Sequence, residues 1–183
     1  SFIVNLVIGI SFDTTITTLT AADVSGTGAL DISNTGALAV TNATTNNGSI
    51  TLAAVGGPLT VTASTATAGD ITYTSDEIEL TGAVNSITGA GAITLQSETA
   101  NLAIEIGGAG GTAALDLTAA DITRLNTGFT GINIGNAGNT GTVTIAGATS
   151  FNDNVTLTGG SIASNAQLTS SGNAVTLVAN TGM

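Results

Sequence analysis

The fold is decided by three short segments that share one pattern: Ser49-Ile50-Thr51-Leu52, Asp70-Ile71-Thr72-Tyr73-Thr74 and Ala92-Ile93-Thr94-Leu95-Gln96. Each segment alternates apolar residues with Thr, which is typical of a β-strand that buries one face. Their leading apolar residues stand at a nearly constant spacing, and Leu115 follows at the same interval. A period of this length indicates units that cannot bury their own apolar faces and therefore stack on their neighbours.

The same alternation recurs through the rest of the chain. Apolar pairs at alternate positions are Leu115/Leu117, Ile132/Ile134, Val143/Ile145 and Val155/Leu157. Further strands fall between the repeats, at Leu59, Leu80 and Leu102 or Ile104. The spacing then shortens to half its length through Ile132, Val143 and Val155, and the longer spacing returns at Val175. Irregular coils are expected there, since a stack tolerates changed turns.

These patterns predict an all-β chain folded as a parallel β-helix, or β-solenoid, with about 20–22 residues per coil. Aliphatic side chains fill the interior, and Thr, Ser and Asn coat the outside. Helix signals are nearly absent, because the chain holds 25 Gly residues and no segment combines good helix formers with an apolar stripe.

The first dozen residues form a separate apolar segment. We expect residues 1–20 to be an apolar N-terminal strand segment, serving as a cap or as an inter-subunit strand, and residues 21–183 to be the solenoid repeat domain. The segment is too short to cross a membrane as a helix, and no membrane span is predicted. Its composition suits a strand buried on both faces, covered by its own chain, by coils that precede it, or by a neighbouring copy through strand addition. The candidate inter-subunit residues are Phe2, Ile3, Val4, Leu6, Val7, Ile8, Ile10 and Phe12.

Composition excludes several classes of function. The 183 residues are 42% hydrophobic with a mean hydropathy of +0.47, so they can bury a core. The chain has no Cys or His, which leaves no thiol nucleophile, imidazole base, zinc ligand set or haem ligand, and no cofactor is predicted. Arg124 is its one basic residue and the net charge is −11, which opposes nucleic-acid binding.

Carboxylates are the reactive groups that remain, and Asp76, Glu77 and Glu79 form the densest cluster. Glu77 and Glu79 flank Ile78 and are expected on one strand face about 7 Å apart, a spacing that permits glycoside hydrolysis. A carbohydrate-active β-helix enzyme is therefore an alternative. A solvated acidic face is favoured over an enzyme, because Tyr73 is the one aromatic residue nearby that could stack on a sugar, and no Lys or Arg stands nearby for lyase chemistry. We therefore predict no catalytic residues.

Calcium is a second chemical alternative for the carboxylates. Residues 107–116 carry Gly pairs followed by Asp116, which is faintly like the calcium-binding repeats of β-rolls. The pattern does not recur every nine residues, as that mechanism requires, and no metal site is predicted.

Four Thr-x-Thr pairs suggest a third alternative, a flat face that binds ice or another crystalline surface. The pairs are Thr60/Thr62, Thr72/Thr74, Thr142/Thr144 and Thr156/Thr158. Other strands interrupt the series, and Thr is the favoured outward residue of many strands.

Three segments carry a family resemblance: residues 120–135 (ADITRLNTGFTGINIG), 141–147 (GTVTIAG) and 154–162 (NVTLTGGSI). They resemble the repeats of filamentous-haemagglutinin-type bacterial exoproteins, in a style that extends over about residues 25–183. The resemblance implies a right-handed parallel β-helix, export beyond the outer membrane, and a role in adhesion, aggregation or biofilm.

The sequence therefore predicts a structural and adhesive solenoid of an extracellular or cell-surface bacterial protein. Expected partners are other copies of the chain, in a fibre, and a host surface, a neighbouring-cell surface or a glycan. A self-assembling filament subunit joined by its N-terminal strand is the main alternative.

Overall fold

The computed structural model describes residues 2–111 and 114–180, which form an all-β parallel solenoid with almost no helix. The predicted fold class is confirmed. The strands of the first half are β1 Phe2–Leu6, β2 Ile10–Thr14, β3 Thr18–Val24, β4 Leu30–Thr35, β5 Leu38–Val40, β6 Ala43–Thr45, β7 Ile50–Val55, β8 Leu59–Val61, β9 Ser64–Ala66, β10 Ile71–Thr74, β11 Ile78–Leu80 and β12 Ile87–Gly89. The remaining elements are β13 Ala92–Gln96, β14 Ala103–Ile106, β15 Ala114–Leu117, α1 Ala119–Ile122, β16 Gly131–Ile134, β17 Thr142–Ile145, β18 Thr149–Phe151, β19 Val155–Gly159, β20 Ser161–Ser164, β21 Leu168–Ser170 and β22 Val175–Ala179.

The strands form four sheets of parallel ladders. Sheet 1 has the order β2-β4-β7-β10-β13-β16-β19-β22. Sheet 2 has the order β11-β8-β5-β3-β6-β9-β12, with β1 paired to β3. Sheet 3 has the order β15-β14-β17-β20, and sheet 4 joins β18 to β21. Most coils contribute one strand to sheet 1 and then two short strands to the other sheets, so each coil turns back over the preceding one.

The interior of sheet 1 consists of two aliphatic columns running along the stack. Paired residues of the first column, which we call column 1, are Ile10, Leu30, Ile50, Ile71, Ile93, Ile132, Val155 and Val175. Those of column 2 are Phe12, Ile32, Leu52, Tyr73, Leu95, Ile134, Leu157 and Leu177. Between β4 and β19 every member of both columns is buried, which confirms the predicted inward face. The Thr side chains between them lie on the outer surface because successive residues point to opposite faces.

The coil length agrees with the predicted period except at one place. Elsewhere, successive members of column 1 are separated by about 20–23 residues, the length of one solenoid repeat. The exception is the step from Ile93 to Ile132, where β14, β15 and α1 are inserted. One coil is therefore almost twice as long as the others.

This insertion makes two of the predicted column assignments wrong. Leu115 does not follow Ile93 in column 1, because it pairs with Ile104 in sheet 3. Val143 likewise pairs with Ile104 and Ile162, outside column 1. The inserted strands carry the same apolar alternation as the repeats, so spacing alone cannot separate the two sheets. The period appears to shorten because residues of sheet 1 and residues of sheet 3 alternate along this part of the chain.

The insertion also contains a helix that the sequence analysis missed. The side chain of Thr118 accepts a hydrogen bond from the Asp121 backbone N–H, and the Asp121 carboxylate accepts one from the Thr118 backbone N–H. This reciprocal capping box stabilises the single turn, and the pattern Thr-x-x-Asp is its signal in the sequence. The other Asp121 oxygen accepts from the Leu80 N–H at 3.0 Å, so the carboxylate also ties α1 to β11.

A column of glycines lies at the corner that leads into sheet 1. Its members are Gly9, Gly28, Gly48, Gly69 and Gly91. A Cβ built on Gly48 would come within 1.9 Å of the Gly28 carbonyl oxygen, and one on Gly69 within 2.1 Å of the Gly48 carbonyl oxygen. Backbones touch directly at this corner, so the absence of a side chain sets how closely neighbouring coils approach.

The one aromatic residue in column 2 between β4 and β19 has a buried polar partner. The Tyr73 hydroxyl and the Ser64 hydroxyl share a hydrogen bond inside the core, and both residues are fully buried. Burial raises the pKa of Tyr73, so its ring stays neutral. The hydrogen bond lets a tyrosine occupy an aliphatic column without an unsatisfied hydroxyl.

Tyr73→Phe is expected to lower the free energy of unfolding by about 1–3 kcal/mol, because it leaves the buried Ser64 hydroxyl without its partner. The double variant Tyr73→Phe/Ser64→Ala removes both polar groups and should recover to within about 1 kcal/mol of the wild type. Urea denaturation measures both values. Equal destabilisation in the single and double variants would contradict the proposed pairing energetics.

Candidate functional site

The predicted inter-subunit residues lie at the N-terminal end of the stack. The structure divides them between two strands of different sheets, β1 on the edge of sheet 2 and β2 on the edge of sheet 1. Val4 and Ile10 are buried, whereas Leu6 and Phe12 are partly exposed and Ile3, Val7 and Ile8 are mostly exposed, at 66%, 69% and 73%. The side chain of Phe2 lies outside what the structure describes.

The expectation of a single strand buried on both faces is therefore wrong for these residues. The chain bends between Leu6 and Ile10, so the apolar run serves two faces of the first coil. The same chain covers one side of this N-terminal segment, because β1 pairs with β3 and β2 pairs with β4. An inter-subunit role for the opposite side stays a prediction.

The C-terminal end of the stack carries a second apolar edge that the sequence analysis did not single out. Every residue of β22 is exposed, including Val175 and Leu177, which continue the two inward columns of sheet 1. Its composition matches that of buried strands, so no signal in the sequence distinguishes it. Its position as the last strand of sheet 1 makes it an edge.

The acidic cluster lies on the outer wall beside β11. Four acidic residues lie near one another there: Glu77, Glu79, Asp116 and Asp121. Burial, followed by the charges of Asp116 and Glu79, raises the pKa of Glu77 to about 7. Asp116 is also buried, and burial raises its pKa. Beside this cluster is an open depression of about 450 Å³, lined by residues 56–58, Asp76 and Glu77.

Glu77 and Glu79 flank the buried Ile78, so both side chains leave the outer face of β11 as predicted, and the hydrolase alternative stays a prediction. Catalytic carboxyl pairs of glycosidases stand roughly 5 Å or more apart, since a sugar carbon or a water must fit between them. Asp76 is engaged elsewhere, with its two carboxylate oxygens accepting from the backbone N–H and hydroxyl of Thr99. These two bonds tie Asp76 to the next coil.

Glu77 gives the protein a predicted pH dependence of stability. Its pKa is higher in the folded chain than the ordinary 4.5, so the folded state binds more protons between about pH 4.5 and pH 7. The stabilisation is complete below that window and is lost as the pH rises through it. The unfolding temperature should therefore fall between pH 5 and pH 8, as measured by circular dichroism.

Glu77→Gln should flatten this dependence, leaving a smaller slope of the same sign from Asp116. Glu105→Gln, the same chemical change on β14, serves as the matched control and should leave the slope in place. A slope that survives unchanged in Glu77→Gln would show that Glu77 is not its source.

Other carboxylates have structural roles at turns. Asp70 accepts from the Ala92 N–H, and Asp153 accepts from the N–H groups of Gly128 and Phe129. Arg124 donates to the carbonyl oxygens of Gly82 and Ala120. Each of these bonds holds one turn of the chain to another segment. These side chains therefore stabilise the fold.

Residues 2–111 and 114–180 contain no group of three or more acidic residues placed to hold a metal ion. The part of the chain that the structure describes also has no helix of the length and apolar character needed to cross a membrane.

The outer face of sheet 1 presents one polar column in register. Its members are Ser11, Asp31, Thr51, Thr72, Thr94, Asn133, Thr156 and Thr176. We call this set the hydroxyl column. Neighbouring strands of a sheet lie about 4.8 Å apart, so it forms a regular row of short hydrogen-bonding side chains. Asp31 is its one charged member.

The four Thr-x-Thr pairs do not line one face. Thr72/Thr74 and Thr156/Thr158 belong to sheet 1, whereas Thr60 lies on β8 of sheet 2 and Thr142/Thr144 lie on β17 of sheet 3. The expectation of a single crystal-binding face built from all four pairs is wrong. The hydroxyl column passes through two of the pairs.

These observations define the class of protein as a parallel β-solenoid with a hydroxyl-rich outer wall on sheet 1. Comparisons with protein-family models, with curated proteins and with solved structures each found no match to this chain.

Proposed function

We propose that the chain is a structural and adhesive segment of an extracellular bacterial surface protein of the filamentous-haemagglutinin type. The hydroxyl column carries this proposal. Seven of its eight stacked positions present Ser, Thr or Asn, and the eighth presents Asp. The buried aliphatic columns hold the sheet beneath them in place. A rigid row of donors and acceptors suits contact with a polar polymer such as a glycan, because each strand repeats the same bonding groups.

A mechanical role is supported by how the carboxylates are used. Asp70, Asp76, Asp121 and Asp153 accept hydrogen bonds from backbone N–H groups of other segments. The acidic side chains thus stabilise the coil and leave the outer wall of sheet 1 nearly uncharged. Export to the cell surface, adhesion and aggregation come from the resemblance of residues 120–135, 141–147 and 154–162.

The test is retention of beads coated with the chain on glycan arrays, cultured host cells and bacterial cells. Thr72→Val/Thr156→Val removes two hydroxyls of the column while keeping side-chain shape, and should weaken retention about tenfold. Thr60→Val/Thr144→Val makes the same change on other sheets and should retain full binding. Beads that show no retention on any surface would refute the adhesive function, and equal losses for both variants would refute the role of the hydroxyl column.

A filament subunit is the second candidate, favoured by the exposed side chains of β1, β2 and the turn between them. A structural protein gains reach by adding coils, and an open strand edge accepts another strand readily.

A further inference from the structure

One carboxylate of the insertion is buried with an oxygen that has no partner. Asp116 lies on β15 between Leu115 and Leu117, which fill the interior, so its own side chain leaves the outer face of the strand. It is nevertheless only 4% exposed, and its Oδ2 atom has no hydrogen-bond partner in the described chain. Among the described residues Asp116 is the one charged side chain with such an atom. A buried carboxylate oxygen in this state is costly, which indicates a missing ligand.

A second carboxylate stands beside Asp116 on the neighbouring strand. Glu105 of β14 pairs in register with Asp116. It lies between two inward-facing isoleucines, so its side chain leaves the same face of sheet 3 as that of Asp116. Neighbouring strands lie about 4.8 Å apart. Like charges directly opposite each other on paired strands are destabilising, so the arrangement favours a positive charge between them.

A glycine-rich segment, residues 107–111, covers the two carboxylates. A Cβ built on Gly108 would overlap the carboxylate of Glu105. One built on Gly111 would come within 3.3 Å of the Asp116 Oδ2 atom. Because these positions carry no side chain, the backbone of the segment lies directly against both carboxyl groups.

No basic side chain balances this charge. Arg124, the one basic residue of the chain, donates to the carbonyl oxygens of Gly82 and Ala120. Glu77 adds further negative charge nearby, since the charge of Asp116 contributes to raising its pKa. The pKa of Asp116 is itself raised by burial, which outweighs the opposing effect of the Gly111 backbone N–H. The local electrostatic field therefore attracts a cation.

We propose that Glu105 and Asp116 bind a Ca²⁺ ion beneath residues 107–111. This site is separate from the hydroxyl column and does not depend on the adhesive function. Its donors are oxygens, which suit a hard cation, and the chain has no Cys or His that would select a transition metal. Ca²⁺ takes about six to eight oxygens in a flexible geometry and accepts backbone carbonyls, whereas Mg²⁺ requires a near-ideal octahedron.

The site uses two carboxylates, in agreement with the finding that no three acidic residues of the described chain are placed around one ion. Its other ligands would be backbone carbonyl oxygens of residues 107–111 and water. The Gly pairs before Asp116 were visible in the sequence, but a nine-residue repeat was not. A single ion does not need that repeat, because register in sheet 3 supplies Glu105 as the second carboxylate.

Calorimetric titration of the full chain, stripped of metal with EGTA, tests the site. CaCl₂ should bind with a Kd of about 10⁻⁴–10⁻³ M, the range of extracellular calcium modules, and MgCl₂ at least about tenfold more weakly. Asp116→Asn removes a charge and keeps the side-chain shape, so it should weaken calcium binding about tenfold or more, as should Glu105→Gln. Asp31→Asn makes the same change at an exposed position of sheet 1 and should bind like the wild type.

Thermal unfolding followed by circular dichroism separates the ligand from the fold. In EGTA, Asp116→Asn should unfold at the same temperature as the wild type or higher, because it removes a buried charge that has no partner. In about 5 mM CaCl₂ the unfolding temperature of the wild type should rise by about 2–6 °C. That of Asp116→Asn should not change. Glu105→Gln, at a half-buried position, gives the same readout from the other carboxylate.

Four results would overturn the proposal: no calcium-dependent heat up to about 10 mM, calcium binding that survives in Asp116→Asn or Glu105→Gln, an equal loss in Asp31→Asn, or MgCl₂ that binds as tightly as CaCl₂. The second and third would assign binding to the net charge of −11 in general. The adhesive function is tested separately, because bead retention can be measured in EGTA.

Discussion

Gly48→Ala is expected to lower the free energy of unfolding by about 3 kcal/mol, at the upper end of the range for overpacked sites. The new methyl group would lie 1.9 Å from the Gly28 carbonyl oxygen, and backbone cannot rotate away as a flexible side chain does. Relief requires that two coils move apart, which stretches the ladders of sheet 1 on either side. For a chain of this size the unfolding temperature should fall by about 10 °C.

Gly131→Ala is the matched control. A Cβ at Gly131 has its nearest neighbour, the Asn154 carbonyl oxygen, at 3.9 Å, and the residue pairs with Ala92 in sheet 1. This variant should be neutral or slightly stabilising, because alanine restricts the unfolded chain more than glycine does. If Gly48→Ala and Gly131→Ala unfold at the same temperature, the close approach of coils at this corner does not limit stability.

The damage from Gly48→Ala should also be local. In a solenoid each coil contacts its immediate neighbours, so stability is approximately a sum over coils and interfaces. Amide hydrogen exchange should accelerate most in β4 and β7, the strands that flank the altered corner, and least in β16 and β19.

The repeat period could be predicted from the sequence, because a strand that buries one face alternates apolar and polar residues. Ile50, Ile71 and Ile93 stand at nearly constant spacing, and the structure places them in one column. The inserted strands could not be distinguished from the sheet 1 repeats by sequence, because β14 and β15 also bury alternating apolar side chains in the interior. Alternation reports that a side chain points inward and does not report which sheet it belongs to.

The first and last strands show a second reason why part of the structure could not be predicted from the sequence. β22 and the buried strand β19 share the same residue types, Val and Leu inward with Thr between them. Only the order of strands makes β22 an edge, and that order depends on pairing between distant parts of the chain. The N-terminal run was recognisable as apolar, but its bend between β1 and β2 follows from packing on β3 and β4 at once.

The acidic cluster was located from sequence, but its chemistry was not. Glu77 and Glu79 were expected on one face, but the sequence gives no measure of how far burial and neighbouring charges raise the pKa of Glu77. The contributions of Asp116 and Asp121 come from the insertion, which sequence spacing did not reveal.

Leu95→Ala is expected to lower the free energy of unfolding by about 3–5 kcal/mol, because it removes a buried side chain from the middle of column 2. Leu95 lies between Tyr73 and Ile134 in register and is 1% exposed. Its neighbours are held by ladders on both sides, so they cannot collapse into the space. Urea denaturation at low protein concentration measures the change.

Leu177→Ala makes the same truncation in the same column at the open end of the stack. Leu177 contacts the column from one side and is half exposed, so its loss should cost about 1 kcal/mol in the single chain. The contrast isolates the contribution of stacking, since residue type, column and sheet face are identical. Equal costs for the two truncations would show that enclosure between neighbouring strands does not set the contribution of a column 2 side chain.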